Sequence, residues 1–225
     1  MSNRDRKRSV LLLVLIAFTA TFLATKTTTA VPLAFVQEVQ CNVTEPVCIL
    51  VIPDGSGMTF QEARTLDGEV VDVTVSVLIW LVDEFGPIGP LAGFEAAHLT
   101  LQAPNGFTLG CAQDHVSAAD HDTDADGWTE FTLAPRAGGW SQELLEIYVV
   151  DDPAGAMGSD IPALPIYFNS PDINGDRQVN LSDVVLFAQD FGDPSAPIRS
   201  DLLWDGIINL SDLVVLSQHL GVECP

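Results

Sequence analysis

Residues 172–183 read Asp172-Ile-Asn174-Gly-Asp176-Arg-Gln178-Val-Asn180-Leu-Ser-Asp183 and lead into Val-Val-Leu-Phe-Ala-Gln-Asp-Phe-Gly192. The same sentence returns 29 residues later as Asp201-Leu-Leu203-Trp-Asp205-Gly-Ile207-Ile-Asn209-Leu-Ser-Asp212, followed by Leu-Val-Val-Leu-Ser-Gln-His-Leu-Gly221. In the first copy, oxygen-bearing side chains stand at loop positions 1, 3, 5, 9 and 12, directly before a helix-forming run. A hard cation such as calcium takes six to eight oxygen ligands, so the chain must wrap around it and turn alternate residues inward. Helix capping explains one such residue per helix, not five at alternating spacing. The tandem copy argues against chance.

Position 12 is Asp183 or Asp212 where a calmodulin-type loop carries Glu, and no helix-forming stretch precedes the first loop. Asn169-Ser170-Pro171 leads in instead, as a turn or extended segment does. A calcium loop followed by one helix, duplicated with a short spacer, resembles the dockerin domain of cellulosomal and related secreted bacterial proteins. The resemblance covers residues 170–221. It implies two loop–helix units packed as a pair, calcium as cofactor, and a cohesin-type domain or other extracellular protein as partner.

Carried over by position, the resemblance makes Asp172, Asn174, Asp176, Asn180 and Asp183 side-chain ligands, with Gln178 offering its backbone carbonyl. Loop two keeps Asp201, Asp205, Asn209 and Asp212, with Ile207 at the carbonyl position. It departs at position 3, where Leu203 has no oxygen to give, and at the next residue, where Trp204 replaces a turn glycine. Affinity follows ligand charge and count, so loop two is a weak site or a vestigial one held by packing. Leu181, Ser182, Leu210 and Ser211 fall where the family carries its partner-selecting residues. They are identical in the two copies, which leaves a dual-mode interface open.

Val184, Phe187 and Phe191 stand at i, i+3 and i+7, as do Leu213, Leu216 and Leu220, giving each helix an apolar stripe. Gly192 and Gly221 stand where a C-terminal cap belongs.

At the other end, Arg4, Arg6, Lys7 and Arg8 precede an apolar run from Val10 to Ala24, and residues 25–30 are mostly small and polar. That is the plan of a secretory leader over residues 1–30, with Thr28 and Ala30 at the small positions of a cleavage site. The apolar run is short against the roughly 20 residues of a membrane span. The expected place is therefore outside the cell or on its surface, with no span after the leader is removed.

Residues 31–225 carry four arginines and no lysine against 30 acids, a formal charge of −26. Phosphate recognition depends on Lys and Arg, so nucleic acid is excluded as a partner. Cys41, Cys48, Cys111 and Cys224 form no CxxC pair, and in an exported chain an even count reads as disulfides with three possible connectivities.

Between leader and repeats the rhythm changes. Residues 71–82 are β-branched, alternating and then nearly continuous, as in a buried strand. Further strands are expected over 47–52, 98–102, 128–133, 144–150 and 164–168, with turns at 85–90, 104–106, 124–127 and 136–139. The segments at 71–89 and 123–133 resemble bacterial Ig-like domains of the invasin kind in their turn and strand grammar. The expected fold class is mainly β: an antiparallel Ig-like β-sandwich followed by a small all-α dockerin-like domain of two calcium-loop–helix repeats. The expected divisions are a leader (1–30), an N-terminal extension (31–45), the sandwich (46–168) and the dockerin-like domain (169–225).

Asp120-His-Asp122-Thr-Asp124-Ala-Asp126-Gly127 places carboxylates at every second position. Counted from Asp122, position 12 falls on Leu133, so the full loop pattern fails and this stretch reads as an acidic hairpin turn with Gly127 at positive φ, a loop calcium site being the alternative. No GxSxG nucleophile, zinc spacing or cleft-building loop appears, which points away from an enzyme. Two functional classes follow. One is a non-catalytic secreted protein attached through its dockerin-like module. The other is an accessory component of polysaccharide degradation whose β-sandwich docks sugar, for which Trp128 and Trp140 are the candidate stacking platforms.

Overall fold

The computed structural model describes residues 33–102, 111, 118–149, 152–153, 163–196 and 198–225. The leader expected over residues 1–30 lies outside them. The strands are β1 (Ala34–Cys41), β2 (Val47–Leu50), β3 (Ala63–Thr65), β4 (Val70–Val71), β5 (Val75–Asp83), β6 (Gly86–Pro90), β7 (Leu99–Gln102), β8 (Trp128–Phe131), β9 (Glu146–Val149), β10 (Asp152–Pro153) and β11 (Ile166–Asn169). Two helices follow, α1 (Leu181–Asp190) and α2 (Leu210–Gln218).

The long strand β5 organises the first sheet. Val75, Val77 and Ile79 alternate inward with no exposure, as the period of two requires. β1 runs antiparallel along one edge of β5, while β8 and then β6 share the other. β1 lies in the stretch read as an N-terminal extension; its Glu38 and Gln40 are outward-facing members of a true strand, not a polar tail. β6 lies where a turn was expected. Its two prolines are tolerated because it is an edge strand, where a missing N–H costs no ladder bond. A second sheet has the order β10-β9-β7 and a third β11-β2-β3-β4. Pairing is antiparallel except between β11 and β2, which run parallel.

The third sheet is the wall between two cores, and its side-chain period shows it. On β2 and just beyond, Val47, Ile49 and Val51 join the large core between the sheets, whereas Leu50 and Ile52 join a second core with Ile173, Val179, Phe187, Leu202 and Leu216. On β11, Ile166 and Phe168 face the large core, while Tyr167 packs against Trp204 at 5.4 Å between ring centroids. Burial on both faces explains why residues 47–52 read as an unbroken apolar run. The helical region therefore shares its core with the strands, and residues 32–225 form one compact unit.

One disulfide joins Cys111 to Cys224, while Cys41 and Cys48 are free. The two free thiols sit on strands of different sheets, β1 and β2, so a second bridge is not formed. Among the described residues no helix is long and apolar enough to cross a membrane.

Candidate metal centre

Loop one is a succession of side chains folded back onto backbone N–H groups, the local chemistry in which Asp and Asn excel. Asp172 Oδ1 accepts from the Asp176 N–H at 3.1 Å and Oδ2 from the Arg177 N–H at 2.8 Å. Asn174 Oδ1 accepts from the Asp176 N–H at 2.7 Å, and Asp176 Oδ1 from the Gln178 N–H at 3.0 Å. Asp183, three residues into α1, accepts from the Asn174 N–H at 3.1 Å and the Asn180 N–H at 2.8 Å. Asn180 caps the helix by accepting from the Ser182 N–H at 2.8 Å. Gly175 and Arg177 take φ values of 71° and 76°, which turn the chain sharply enough to bring both ends of the loop together.

Loop two repeats these bonds except at position 3, where Leu203 has no side-chain oxygen to match Asn174 Oδ1. Asp201 accepts from the Asp205 and Gly206 N–H groups at 3.1 and 2.8 Å, and Asp205 from the Ile207 N–H at 3.0 Å. Asp212 accepts from the Leu203 and Asn209 N–H groups at 3.0 and 2.9 Å, and Asn209 caps α2 through the Ser211 N–H at 2.8 Å. Trp204 sits at φ 57°, the conformation Gly175 holds in loop one. A bulky residue there is strained. Its ring is buried against Tyr167 of β11, which offsets that cost. Loop two thus keeps its shape while lacking an oxygen at Leu203.

The electrostatics single out the carboxylates at positions 1 and 12. Asp172, Asp183 and Asp212 have no exposed surface, and Asp201 is nearly as buried. Burial, with the neighbouring Asp183 and Asp176 carboxylates, pushes Asp172 up to about 6. Burial raises Asp183, with Asp176 adding to it; burial likewise raises Asp201, with Asp212 and Asp205 behind it, and Asp212, with Asp205 behind it. Backbone N–H donors oppose the rise without cancelling it.

Does this donor set suit calcium? No group of three or more His, Cys, Asp or Glu among the described residues converges as a ready metal cluster. The acids of loop one are therefore not gathered into a carboxylate cage, and calcium loops draw much of their coordination from amide and backbone oxygens. In loop one the amide oxygens of Asn174 and Asn180 accept from the Asp176 and Ser182 N–H groups, and both side chains donate through Nδ2 to Asp176. The Gln178 carbonyl accepts from Asn180 Nδ2 at 3.3 Å, which places position 7 beside position 9. The all-oxygen set with buried acids at both ends fits a hard cation, and Asp172, Asn174, Asp176, Gln178, Asn180 and Asp183 are the residues that would hold it. At loop two the same fit lacks position 3.

Loop one is also tied to the C-terminal tail: the Val179 N–H donates to the Val222 carbonyl, and the Gly221 N–H to the Val179 carbonyl, each at 2.8 Å. The Cys224 N–H donates to the Arg177 carbonyl at 3.0 Å, so the Cys111–Cys224 bridge anchors this tail next to the loop. Between the two units, Arg199 reaches Asp190 through Nε at 2.8 Å and a second nitrogen at 3.0 Å, and Ser200 Oγ donates to the same carboxylate at 2.6 Å. Burial pushes Asp190 up, but these donors outweigh it and hold the carboxyl below its ordinary value.

The four residues matched to partner selection all lie on the surface at the starts of the helices. Leu181 is 76 % and Leu210 65 % exposed, and Ser182 and Ser211 are exposed beside them. Val185 and Val214, one turn on, extend both apolar patches. Of the helix stripes, Phe187 and Leu216 are buried and Val184 and Leu213 partly so, while Phe191 and Leu220 lie beyond the helix ends and are largely exposed.

Elsewhere, the acidic stretch at 120–127 is a turn. Asp124 accepts from the Asp126 and Trp128 N–H groups at 2.9 Å each, Asp120 accepts from the Thr132 N–H at 2.7 Å, and Gly127 has φ 83°. Trp128 and Trp140 are half-buried. Sequence reading did not find three residues that hold the loops: Gly138, Asn169 and Ser170. In the sequence Gly138-Gly139 reads only as part of a turn and Asn169-Ser170 only as the lead-in to loop one. Comparison with protein-family models, with curated proteins and with solved structures finds no match to this chain.

Proposed function

We propose that this chain is an exported, non-catalytic protein in which an Ig-like β-sandwich is attached, through a dockerin-like pair of calcium-loop–helix units, to a cohesin-type extracellular partner. The observation that supports it best is the shared hydrogen-bond plan of two loops 29 residues apart, in each of which the buried carboxylates at positions 1 and 12 accept backbone N–H groups of the same loop. A solvated acidic loop has no need to bury two carboxylates. Calcium would supply the positive charge that favours the ionised forms of Asp172 and Asp183, which burial disfavours. Loop one takes the cation through its complete oxygen set. Loop two holds the second helix mainly through Trp204 and the capping carboxylate of Asp212.

The partner reading rests on the exposed pairs Leu181/Val185 and Leu210/Val214, which both helices present one turn apart beside a polar serine. Exposed apolar side chains in a chain this acidic make a recognisable contact surface. Binding of the full chain to a panel of immobilised cohesin domains, in calcium and in chelator, tests this. Binding should need calcium and should be lost in the double variant Leu181→Asp/Leu210→Asp, whose unfolding midpoint stays unchanged. Binding indifferent to both perturbations, or to no member of the panel, sinks the reading.

A further inference from the structure

We propose that the β-region turn at residues 137–139 is a structural part of the loop-one cation site, with Gly138 as its positioning residue; the inference rests on loop one being that site. Asp172, at loop position 1, is fully buried, and this turn packs directly against it. The Gly139 N–H donates to the Asp172 carbonyl at 2.6 Å. The Asp172 N–H donates to Ser170 Oγ at 3.2 Å, and Ser170 Oγ makes a long contact of 3.5 Å with the Ala137 carbonyl. The backbone of position 1 is thus fixed from both sides.

Gly138 faces the carboxylate itself. A Cβ at this position would overlap Asp172 Oδ2 and stand 2.8 Å from its Cγ and 3.3 Å from its Cβ. The carboxylate has no room to retreat, because its two oxygens are held by the Asp176 and Arg177 N–H groups on the other side. Gly138 is not among the glycines at positive φ, so its backbone accepts an alanine. The effect of a methyl group is therefore exerted on Asp172. In loop two the first position meets a side chain instead: the Asp201 carbonyl accepts from Asn169 Nδ2 at 2.8 Å, at the end of β11. The two loops are held by different parts of the β region, and among the described residues a glycine lies against the first carboxylate of loop one and not of loop two.

Coupling of this kind is reciprocal: if the turn sets the affinity of loop one, the bound cation stabilises the turn by the same factor. Two measurements on the full chain test it, calorimetric titration with calcium and urea unfolding in metal-free buffer. Gly138→Ala should weaken the tighter calcium event by at least about tenfold, as loss of an outer-shell partner does, while leaving any loop-two event in place. In metal-free buffer Gly138→Ala should lower the unfolding midpoint in the parent but hardly at all in Asp172→Ala, where the crowded carboxylate is gone. Parent-like calcium affinity in Gly138→Ala, or an equal loss of midpoint in both backgrounds, overturns the inference. If Gly138→Ala does not fold, recovery of folding in Gly138→Ala/Asp172→Ala supports it and continued failure overturns it. If the parent binds no calcium, the cation reading falls, and the metal-free comparison alone decides whether Gly138 positions Asp172.

Discussion

Asp183 and Asp212 are a matched pair that separates metal binding from helix capping. Each carboxylate is fully buried, and each accepts two backbone N–H bonds, at 3.1 and 2.8 Å for Asp183 and 3.0 and 2.9 Å for Asp212. Replacing either by alanine strands two N–H groups, a loss of about 2–4 kcal/mol. Part of it returns, because burial has raised both acids and removing them relieves that cost. Without calcium the two variants should therefore be destabilised alike. Calcium at a hundred times the dissociation constant of loop one adds about 2.7 kcal/mol to the parent, and a site tenfold weaker would add about 1.4 kcal/mol at that concentration. Asp183→Ala forfeits the larger increment and Asp212→Ala at most the smaller. Urea unfolding of the parent and both variants, with and without calcium, measures the double difference. If the two substitutions cost the same in both conditions, the carboxylates are caps and nothing more. A larger calcium-dependent loss for Asp212→Ala would reverse the ranking of the loops.

Arg199→Met leaves the buried Asp190 without its cation and should destabilise the chain towards the lower end of about 3–5 kcal/mol, since Arg199 is partly solvated. Asp190 is held below its ordinary value, so the pair stabilises the fold above pH 3.8 and that contribution is lost as pH falls through the lower folded value. Acid titration of the unfolding midpoint should show this loss in the parent and not in Arg199→Met. Reducing the Cys111–Cys224 bridge, which spans 113 residues of sequence, should cost about 4–5 kcal/mol and expose the Val179 amide to hydrogen exchange as the tail detaches. Leu203→Asn should strengthen a second calcium event by restoring the position-3 oxygen, read by calorimetric titration. Adding Trp204→Gly should undo the gain in stability, because the buried indole is worth about 3–5 kcal/mol.

The two duplicated loops were legible because their hydrogen bonding is local. Side chains fold back on backbone two to nine residues away, and the two loops do so alike except at position 3. The strand at β5 was legible through its alternation of Val75, Val77 and Ile79. What the sequence hid depends on distant partners. β1 and β6 look like polar or proline-rich connections until β5 pairs with them. Nor does local spacing reveal that Leu50 and Ile52 turn away from the strand core to complete the helical one. Gly138 reads as half of a turn; its role arises only because Asp172, far along the chain, packs against it. Trp204 reads as a defect in a loop, and its meaning depends on Tyr167.

The most direct measurement is a calorimetric calcium titration of the full chain beside Asp172→Ala. The parent should show one tight calcium event, followed by a weaker one or none, and Asp172→Ala should abolish the tight event. Absence of any calcium heat in the folded parent, or a tight event that survives in Asp172→Ala, would contradict the assignment of loop one as the cation site.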